Sequence, residues 1–189
     1  GIQSKERRSA ARPTMAEARA APSRRLFGFA AGCWEQSERE FQYVACDVLG
    51  ANAARLETHH LARLQALITT KSWWDTVDPL ASHVVGDMVA AHPELVVVMD
   101  TWIDSDDFWL ARTAILHQLR FGERTDAKRL FAYADARAED TEFFIRKAIG
   151  WALRQYARVD AGAVRSFVAQ HEDRLSGLTK REALKHGGG

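Results

Sequence analysis

Cysteine and proline are scarce in this sequence. Its 189 residues include only two cysteines, Cys33 and Cys46, which are too far apart for a CxxC metal or redox site and are typical of buried small hydrophobic residues. Four prolines interrupt the chain, and Val, Ile and Thr are dispersed, so long helices are easier to place than alternating strands. The sequence therefore predicts an all-α protein without a disulfide.

Long apolar runs and the common metal and nucleotide motifs are also absent. No segment approaches the roughly 18 apolar residues that span a bilayer, and no apolar stretch follows the arginine-rich N-terminus as in a secretory signal. The seven histidines form no HExxH pattern, and the glycines form no P-loop or GxGxxG motif. We therefore expect a soluble intracellular protein that uses no metal and no cofactor.

Net charge is small but unevenly distributed. The formal charge of +1 argues against an indiscriminate nucleic-acid binder. Residues 1–26 have seven Lys or Arg against two Glu, residues 27–140 have ten against eighteen acidic residues, and residues 141–189 have nine against five. Basic ends that flank an acidic middle could hold a polyanion, although solvated helix faces give the same pattern.

Four aromatic-centred segments recur along the chain. Their anchors are separated by 33, 35 and 35 residues: Phe41, Trp74, Trp109 and Phe144. A period of this length in a helical chain is typical of an α-solenoid, in which each helical pair buries its apolar face by stacking on the next. We therefore predict a single repeat domain over residues 1–189.

Capping and turn patterns divide this domain into helices. Ser37 with Glu40, and Thr179 with Glu182, match capping boxes that open helices. His92-Pro93-Glu94 predicts a turn and the start of the next helix, and Ser105-Asp106-Asp107 predicts the cap of a further one. The predicted helices cover about 37–49, 55–68, 73–91, 105–121, 126–136, 142–158, 160–171 and 180–186.

The two ends of the chain differ from its middle. Residues 9–25 contain Ala, Arg, Ser and two prolines without a firm helical period, which predicts a loosely ordered basic segment. Residues 187–189 are three glycines, a composition typical of a linker or tail.

Several residues with useful chemistry share helix faces, because positions three, four or seven apart lie on one side of a helix. The pairs are Trp74 with Asp78, Trp109 with Arg112, and Phe144 with Trp151. If the repeats make these helices equivalent, Asp78, Arg112 and two indoles would face one surface. We expect the carboxylate there to be open to a groove.

Each of these residues also has a purely structural interpretation. Asp78 precedes a proline, which is a common arrangement at a helix N-cap. Arg112 lies inside an apolar run, where an arginine must either extend its head to solvent or bind something. Tryptophans at helical spacing are usually core residues, and this alternative applies to Trp73, Trp109 and Trp151.

Four segments, in this order, resemble the AlkD-type DNA alkylation repair glycosylases: residues 70–78, 102–112, 143–154 and 181–186. The similarity covers nearly the whole chain. It implies a solenoid of HEAT-like helical repeats, curved around duplex DNA with a concave DNA-binding face. We expect a monomer in the cytoplasm, associated with the nucleoid.

The resemblance also implies an activity and a set of site residues. Members of the family excise cationic alkylated purines such as N3-methyladenine and N7-methylguanine from DNA. Carried over by motif, the catalytic carboxylate is Asp78, and Trp74 contacts the lesion-bearing sugar. Arg112 would fix a phosphate beside the lesion, and Trp151 is the second tryptophan of the cleft. The candidate phosphate contacts are Lys71, Arg146, Lys147, Arg154, Arg181 and Lys185.

The chemistry of such a substrate needs few catalytic groups. Alkylation makes the purine a cation, so cleavage of its glycosidic bond releases a neutral base without a general acid. The transition state resembles the oxocarbenium ion of sugar hydrolysis, where glycosidases use two carboxylates. Asp78 would stabilise the developing charge and position the attacking water, and the indole faces would attract the same charge.

Two departures from the family pattern bear on this assignment. The chain begins inside the pattern, so one or two N-terminal helices that contact DNA are expected to be missing. Pro79 directly follows Asp78 and cannot donate to the carbonyl of Asp75, so we expect a kink at the catalytic position.

Two other functions fit the sequence. A non-catalytic relative would bind distorted or branched DNA, but it has no need to retain the two tryptophans, the aspartate and the arginine. A HEAT-type protein scaffold is favoured by the near-neutral charge. Salt-dependent binding to duplex DNA would exclude the scaffold, because phosphate neutralisation releases counterions.

Overall fold

All regular secondary structure in the computed structural model is helical. The structure describes residues 1–185, and no strand occurs in that range. None of the helices described there is both long and apolar enough to cross a bilayer. The all-α prediction is confirmed. The chain divides into two compact units, Gly1–Leu95 and Val96–Gly189. The single repeat domain stays a prediction.

The first unit contains seven α-helices around a core of fully buried side chains such as Leu49, Leu64 and Met88. Its helices are α1 Ser4–Ala10, α2 Arg12–Ala20, α3 Ser23–Glu35, α4 Arg39–Ala51, α5 Leu61–Ile68, α6 Trp74–Pro79 and α7 Gly86–Ala91. A π-helical segment, Leu80–Val85, joins α6 to α7, so the helix is continuous over 74–91. The 3-10 turns are Ala53–Arg55, Thr58–His60 and Pro93–Leu95.

The second unit has a separate core that includes Met99, Leu116 and Ile149. Its helices are α8 Val96–Trp102, α9 Phe108–Leu116, α10 Ala127–Ala136, α11 Phe143–Tyr156, α12 Ala161–Gln170 and α13 Gly177–Ala183, with a 3-10 turn at Gly122–Arg124. Helix α11 packs against α9, α10, α12 and α13. It is therefore the central helix of this unit.

Side-chain hydrogen bonds join residues that are one repeat apart. The indole of Trp34 donates to the carbonyl of Leu67, 33 residues later, at 3.1 Å. The hydroxyl of Thr179 donates to the carbonyl of Arg146, also 33 residues away, at 3.1 Å. Such bonds are expected when each helical pair stacks on the next. The helical-repeat prediction is therefore confirmed.

Acidic residues cap the helix N-termini more often than the capping boxes that the sequence predicted. Asp107, Asp126 and Asp160 each accept a hydrogen bond from a backbone amide in the first turn of the helix that follows. The predicted box at Ser37 is wrong, because α4 begins at Arg39 without a side-chain cap. The box at Thr179 is also wrong: α13 begins at Gly177.

The segment 9–25 is mostly helical, with interruptions at Ala11 and at Ala21–Pro22, and differs from the loosely ordered region that its composition suggested. Helix α2 occupies Arg12–Ala20, with Pro13 in its first turn, where a missing amide proton costs nothing. The guanidinium of Arg55 donates to three carbonyls at the end of α2, those of Ala18, Arg19 and Ala21. This tertiary contact fixes a helix whose local sequence is ambiguous. The proposed tail at 187–189 lies outside the described residues.

Candidate active site

The tryptophan pair lies at the start of the long helix over 74–91. Trp73 has an extended backbone, with φ −156° and ψ 155°, and the helix begins at Trp74. Their side chains are 48% and 49% exposed. The core alternative is therefore wrong for Trp73, and two indoles are accessible to a ligand at this helix end.

Asp78 lies one turn after Trp74, on the same face of the helix. It is inside the helix and does not cap it, so the N-cap interpretation is wrong. Its side chain is only 9% exposed, which corrects the expectation of a carboxylate open to a groove. Because a charge in a largely water-excluded position is weakly screened, it interacts more strongly with a nearby cation.

Pro79 is accommodated by a local change of helix type. It cannot donate to the carbonyl of Asp75, and the six residues that follow it, Leu80–Val85, form a π-helix. The hydroxyl of Ser82 donates to the carbonyl of Asp78 at 2.8 Å. Instead of the expected kink at Pro79, the helix widens into π-helical turns and continues to Ala91.

A charged cluster that was not among the predicted site residues fixes the first turn of this helix. The guanidinium of Arg39 donates to Asp75 Oδ1 at 2.5 Å and to Thr76 Oγ1 at 3.1 Å. The phenol of Tyr43 donates to Asp75 Oδ2 at 2.5 Å. Arg39 also donates to the carbonyl of Lys71 at 2.7 Å. We call Arg39, Tyr43 and Asp75 the α4–α6 clasp.

The electrostatics of the clasp keep its donors protonated. Partial burial, and then the hydrogen bond to Asp75, raise the pKa of Tyr43. A signal for this cluster was present in the sequence, since Arg39 and Tyr43 precede Asp75 by 36 and 32 residues, close to the repeat period. The clasp holds the helix that carries Trp74 and Asp78.

Arg112 lies on α9 in the second unit and is 3% exposed. Its guanidinium donates to the carbonyl of Phe144 and lies 5.8 Å from the centroid of the Phe144 ring. The interpretation that Arg112 reaches solvent is therefore wrong. In this structure Arg112 contacts the start of α11, and its contact with a phosphate stays a prediction.

Trp151 is half-buried on α11, two turns after Phe144 and on the same face. Within the second unit, Arg112 therefore contacts α11, the helix that also carries Trp151. Trp109 is a core residue, as one alternative proposed, and its ring lies 4.9 Å from that of Phe144. Trp74 and Asp78 form the corresponding pair within the first unit.

A sequence profile for a family described as "DNA alkylation repair enzyme" matches residues 1–186. The chain belongs to this family. Its fold is similar to that of a solved structure described as a predicted DNA alkylation repair enzyme from Enterococcus faecalis, with 31% identity and a TM-score of 0.91. The match covers 98% of this chain and 86% of the other. No curated protein matches the chain.

Membership of the DNA alkylation repair enzyme family gives the protein a role in repair of alkylated DNA, with DNA as its partner. The candidate phosphate contacts differ in how well they suit that partner. Lys71 has a left-handed backbone, with φ 49°, and its ammonium donates to the carbonyls of Trp34 and Gln36 at 2.5 and 3.0 Å. Its charge therefore caps the end of α3.

Three of the five candidate phosphate contacts in the second unit also bind groups of the protein itself. Lys147 and Arg154 bind the two carboxylate oxygens of Glu182 at 2.8 and 2.9 Å, and the hydrogen bond from Lys147 lowers the pKa of that carboxyl group. Arg146 donates to the carbonyl of Asp140 at 2.6 Å. The remaining candidates, Arg181 and Lys185, are exposed to solvent.

Proposed function

We propose that the protein is a DNA glycosylase that hydrolyses the N-glycosidic bond of cationic alkylated purines, of the N3-methyladenine and N7-methylguanine type, in duplex DNA. The family supports a role in alkylation repair, and the chemistry of the candidate site supports this particular reaction. The reaction needs no metal and no cofactor, because the alkylated base is already a good leaving group.

The observation that carries the proposal is the position of Asp78. It is a largely buried carboxylate one helical turn from an exposed tryptophan pair. As the bond breaks, positive charge moves from the base to the sugar, and a preorganised carboxylate stabilises that charge best where water is excluded. Asp78 would also position the water that attacks the sugar.

Trp74 would contact the lesion-bearing sugar, and its indole face attracts the same positive charge. Trp151 would supply the second indole. Because Arg112 is buried against Phe144, we assign it a positioning role at the start of α11 in place of a direct phosphate contact. The catalytic residues of the proposal are Asp78, Trp74 and Trp151.

The test is base release from methylated duplex DNA under single-turnover conditions. Asp78→Asn keeps the volume of the side chain and removes its charge, so we expect the rate to fall by roughly 10²–10³ while the affinity for duplex DNA is retained. The matched control is Asp104→Asn, the same substitution at an exposed position in a turn, for which we expect an unchanged rate.

Equal rates of N7-methylguanine release by the wild-type protein and Asp78→Asn would exclude the mechanism. Binding to duplex DNA without release of any base by the wild-type protein would instead favour the non-catalytic DNA binder. A substrate comparison adds a second criterion. Uracil has no cationic leaving group, so a uracil-containing duplex should give little release.

A further inference from the structure

The helix over 74–91 changes type directly after the candidate catalytic aspartate. Its first turns, Trp74–Pro79, are α-helical, and the six residues that follow, Leu80–Val85, are π-helical. The amide of Gly86 donates to the carbonyl of Ala81, five residues earlier, which is the bond that defines a π-helix. Asp78 therefore lies next to the boundary between two backbone geometries.

A proline weakens the backbone at this boundary. Pro79 has no amide proton, so it cannot close the α-helical bond to the carbonyl of Asp75. Turns of π-helix are rare in proteins and are frequently found at functional sites. The position of Asp78 therefore depends on the contacts that join the two helix types.

A buried side chain makes such a contact. The hydroxyl of Ser82, inside the π-helix, donates to the carbonyl of Asp78 at 2.8 Å. Ser82 is only 5% exposed, so water does not readily replace its hydroxyl as a donor. The hydroxyl therefore links the π-helix to the backbone of the aspartate.

The same kind of bond occurs elsewhere in a different setting. Thr101 and Thr113 also donate to the carbonyl four residues earlier, at 3.1 and 2.8 Å. Both threonines lie on α-helices, where regular backbone bonds hold the turn. Over residues 1–185 the only π-helical segment is Leu80–Val85, and Ser82 lies within it.

The helical turn that carries Asp78 is held at its other end by the α4–α6 clasp. Asp75, in the first turn of α6, accepts hydrogen bonds from Arg39 and Tyr43. Asp78 follows three residues later, and its carbonyl accepts from Ser82. The clasp and Ser82 therefore fix the same short stretch of helix from its two ends.

We propose that Ser82 is a positioning residue of the candidate active site and acts through the backbone of Asp78. This inference rests on the proposed function, and it adds the group that holds the carboxylate in place where the helix changes type. A catalytic group is effective only when the residues behind it fix its position. Without the hydroxyl, the carbonyl of Asp78 loses a donor and the carboxylate is free to move relative to the sugar.

A purely structural role for Ser82 is the alternative, because a buried hydrogen bond stabilises a helix whatever its function. That role predicts a lower stability and an unchanged rate at temperatures where the protein is folded. A positioning role predicts a slower rate that depends on the charge of Asp78. The two roles are therefore separated by kinetics.

The test is single-turnover base release from duplex DNA that contains N7-methylguanine, corrected for release without protein. We expect Ser82→Ala to slow release by roughly five- to tenfold, because small displacements of a catalytic group are costly. The Kd for undamaged duplex should stay the same, since Ser82 is buried and acts on the catalytic step.

A double-mutant cycle shows whether the effect passes through Asp78. Its members are the wild-type protein, Ser82→Ala, Asp78→Asn and the double variant. In the Asp78→Asn background, loss of the hydroxyl should change the rate by less than about twofold, because the charge that it positions is gone.

Thr101→Val is the control, because it removes a hydroxyl bond to the carbonyl four residues earlier on α8 and keeps the volume of the side chain. It should keep the wild-type rate. Ser82→Cys is a second variant at the site. It nearly keeps the side-chain volume and provides only a weak donor, so it should slow release less than Ser82→Ala.

The midpoint of thermal unfolding is measured for every variant, and rates are compared well below the lowest midpoint. A wild-type rate in Ser82→Ala, or in Ser82→Cys if the alanine variant does not fold, would overturn the proposal. Equal slowing by Ser82→Ala in the wild-type and Asp78→Asn backgrounds would also overturn it, as would equal slowing by Thr101→Val.

Failure of the positioning role and failure of the glycosylase mechanism give different results. If Asp78→Asn releases base at the wild-type rate, the proposed mechanism is wrong. If base release depends on Asp78 but not on Ser82, only the positioning role is wrong. A wild-type protein that releases no base would contradict both.

Discussion

His117 is a buried titratable residue in the second unit. Its ring donates from Nδ1 to the carbonyl of Ala114 at 2.6 Å, and burial lowers its pKa from 6.5 to about 4. The charged groups that face it are Arg129 on α10, Asp126 at the start of that helix and Asp100 on α8. The neutral imidazole is therefore the form that the fold accepts.

We predict that His117 makes the second unit sensitive to acid. The unfolded chain takes up this proton near pH 6.5 and the folded chain near pH 4, so the stabilising contribution is present above 6.5 and is lost as the pH falls. At pH 4.5 the loss should be roughly 2 to 3 kcal/mol. The measurement is the free energy of unfolding by urea at pH 7.5 and 4.5.

His117→Phe is the comparison variant, because it keeps a ring and cannot titrate. Its free energy of unfolding should fall less between the two pH values than that of the wild-type protein. An identical decrease in both proteins would mean that other groups cause the acid sensitivity.

At the scale of helices and their contacts, the α4–α6 clasp has a counterpart in the second unit. Tyr133 donates to Asp100 at 2.6 Å, and Arg129, four residues earlier on α10, binds the same carboxylate at 2.8 Å. The two clusters share the same chemistry, but only the α4–α6 clasp holds the helix of Trp74 and Asp78.

This pair of clusters gives a matched test of positioning. Tyr43→Phe and Tyr133→Phe each remove one phenol-to-carboxylate hydrogen bond, so each should lower stability by about 1 kcal/mol. We expect Tyr43→Phe also to slow base release by roughly threefold or more, because small misplacements of catalytic groups are costly. Tyr133→Phe should keep the wild-type rate.

The readouts are the single-turnover rate, the Kd for duplex and the midpoint of thermal unfolding. The Kd should stay the same in both variants, because the clasp acts on the catalytic step. Equal rates for Tyr43→Phe and Tyr133→Phe would show that the α4–α6 clasp only stabilises the fold.

Helices α11 and α13 approach closely at Gly150. A Cβ atom there would lie 2.5 Å from Cβ of Glu182 and 3.0 Å from the carbonyl oxygen of Thr179. We predict that Gly150→Ala forces the helices apart and destabilises the protein by roughly 1–3 kcal/mol. Thermal unfolding measures this effect.

Gly28→Ala is the control, because a Cβ at this helical position has no neighbour within 4 Å. It should raise stability by about 0.5–1 kcal/mol, since alanine restricts the unfolded chain. A neutral or stabilising effect of Gly150→Ala would contradict the close approach of the two helices.

For the molecule as a whole, the distribution of charge is more informative than its sum. The net charge of +1 is the sum of basic excesses in residues 1–26 and 141–189 and an acidic excess in residues 27–140. In the C-terminal part of the chain, Lys147 and Arg154 both form ion pairs with Glu182. Part of the positive charge of that region is therefore neutralised within the protein. We therefore expect the exposed cations, and not the net charge, to determine the salt dependence of DNA binding.

Sequence periodicity and the order of the motifs were sufficient to predict the fold class and the family. The spacing of the aromatic anchors gave the helical repeat, because stacking each helical pair on the next imposes one period along the chain. The continuous helix from Trp74 to Ala91 also followed from the sequence. The roles of Asp78, Trp74 and Trp151 stay proposals, since they depend on chemistry and not on the fold.

The amino-acid sequence by itself determined the all-helical repeat, the family and the identity of the candidate residues, because apolar spacing and local motifs are properties of neighbouring positions. Only the tertiary structure decided that Asp78 and Arg112 are buried, that segment 9–25 is mostly helical and that Lys71 caps a helix end. Each of these depends on contacts between residues distant in sequence. Burial and ion pairing are set by such contacts, which no local pattern records.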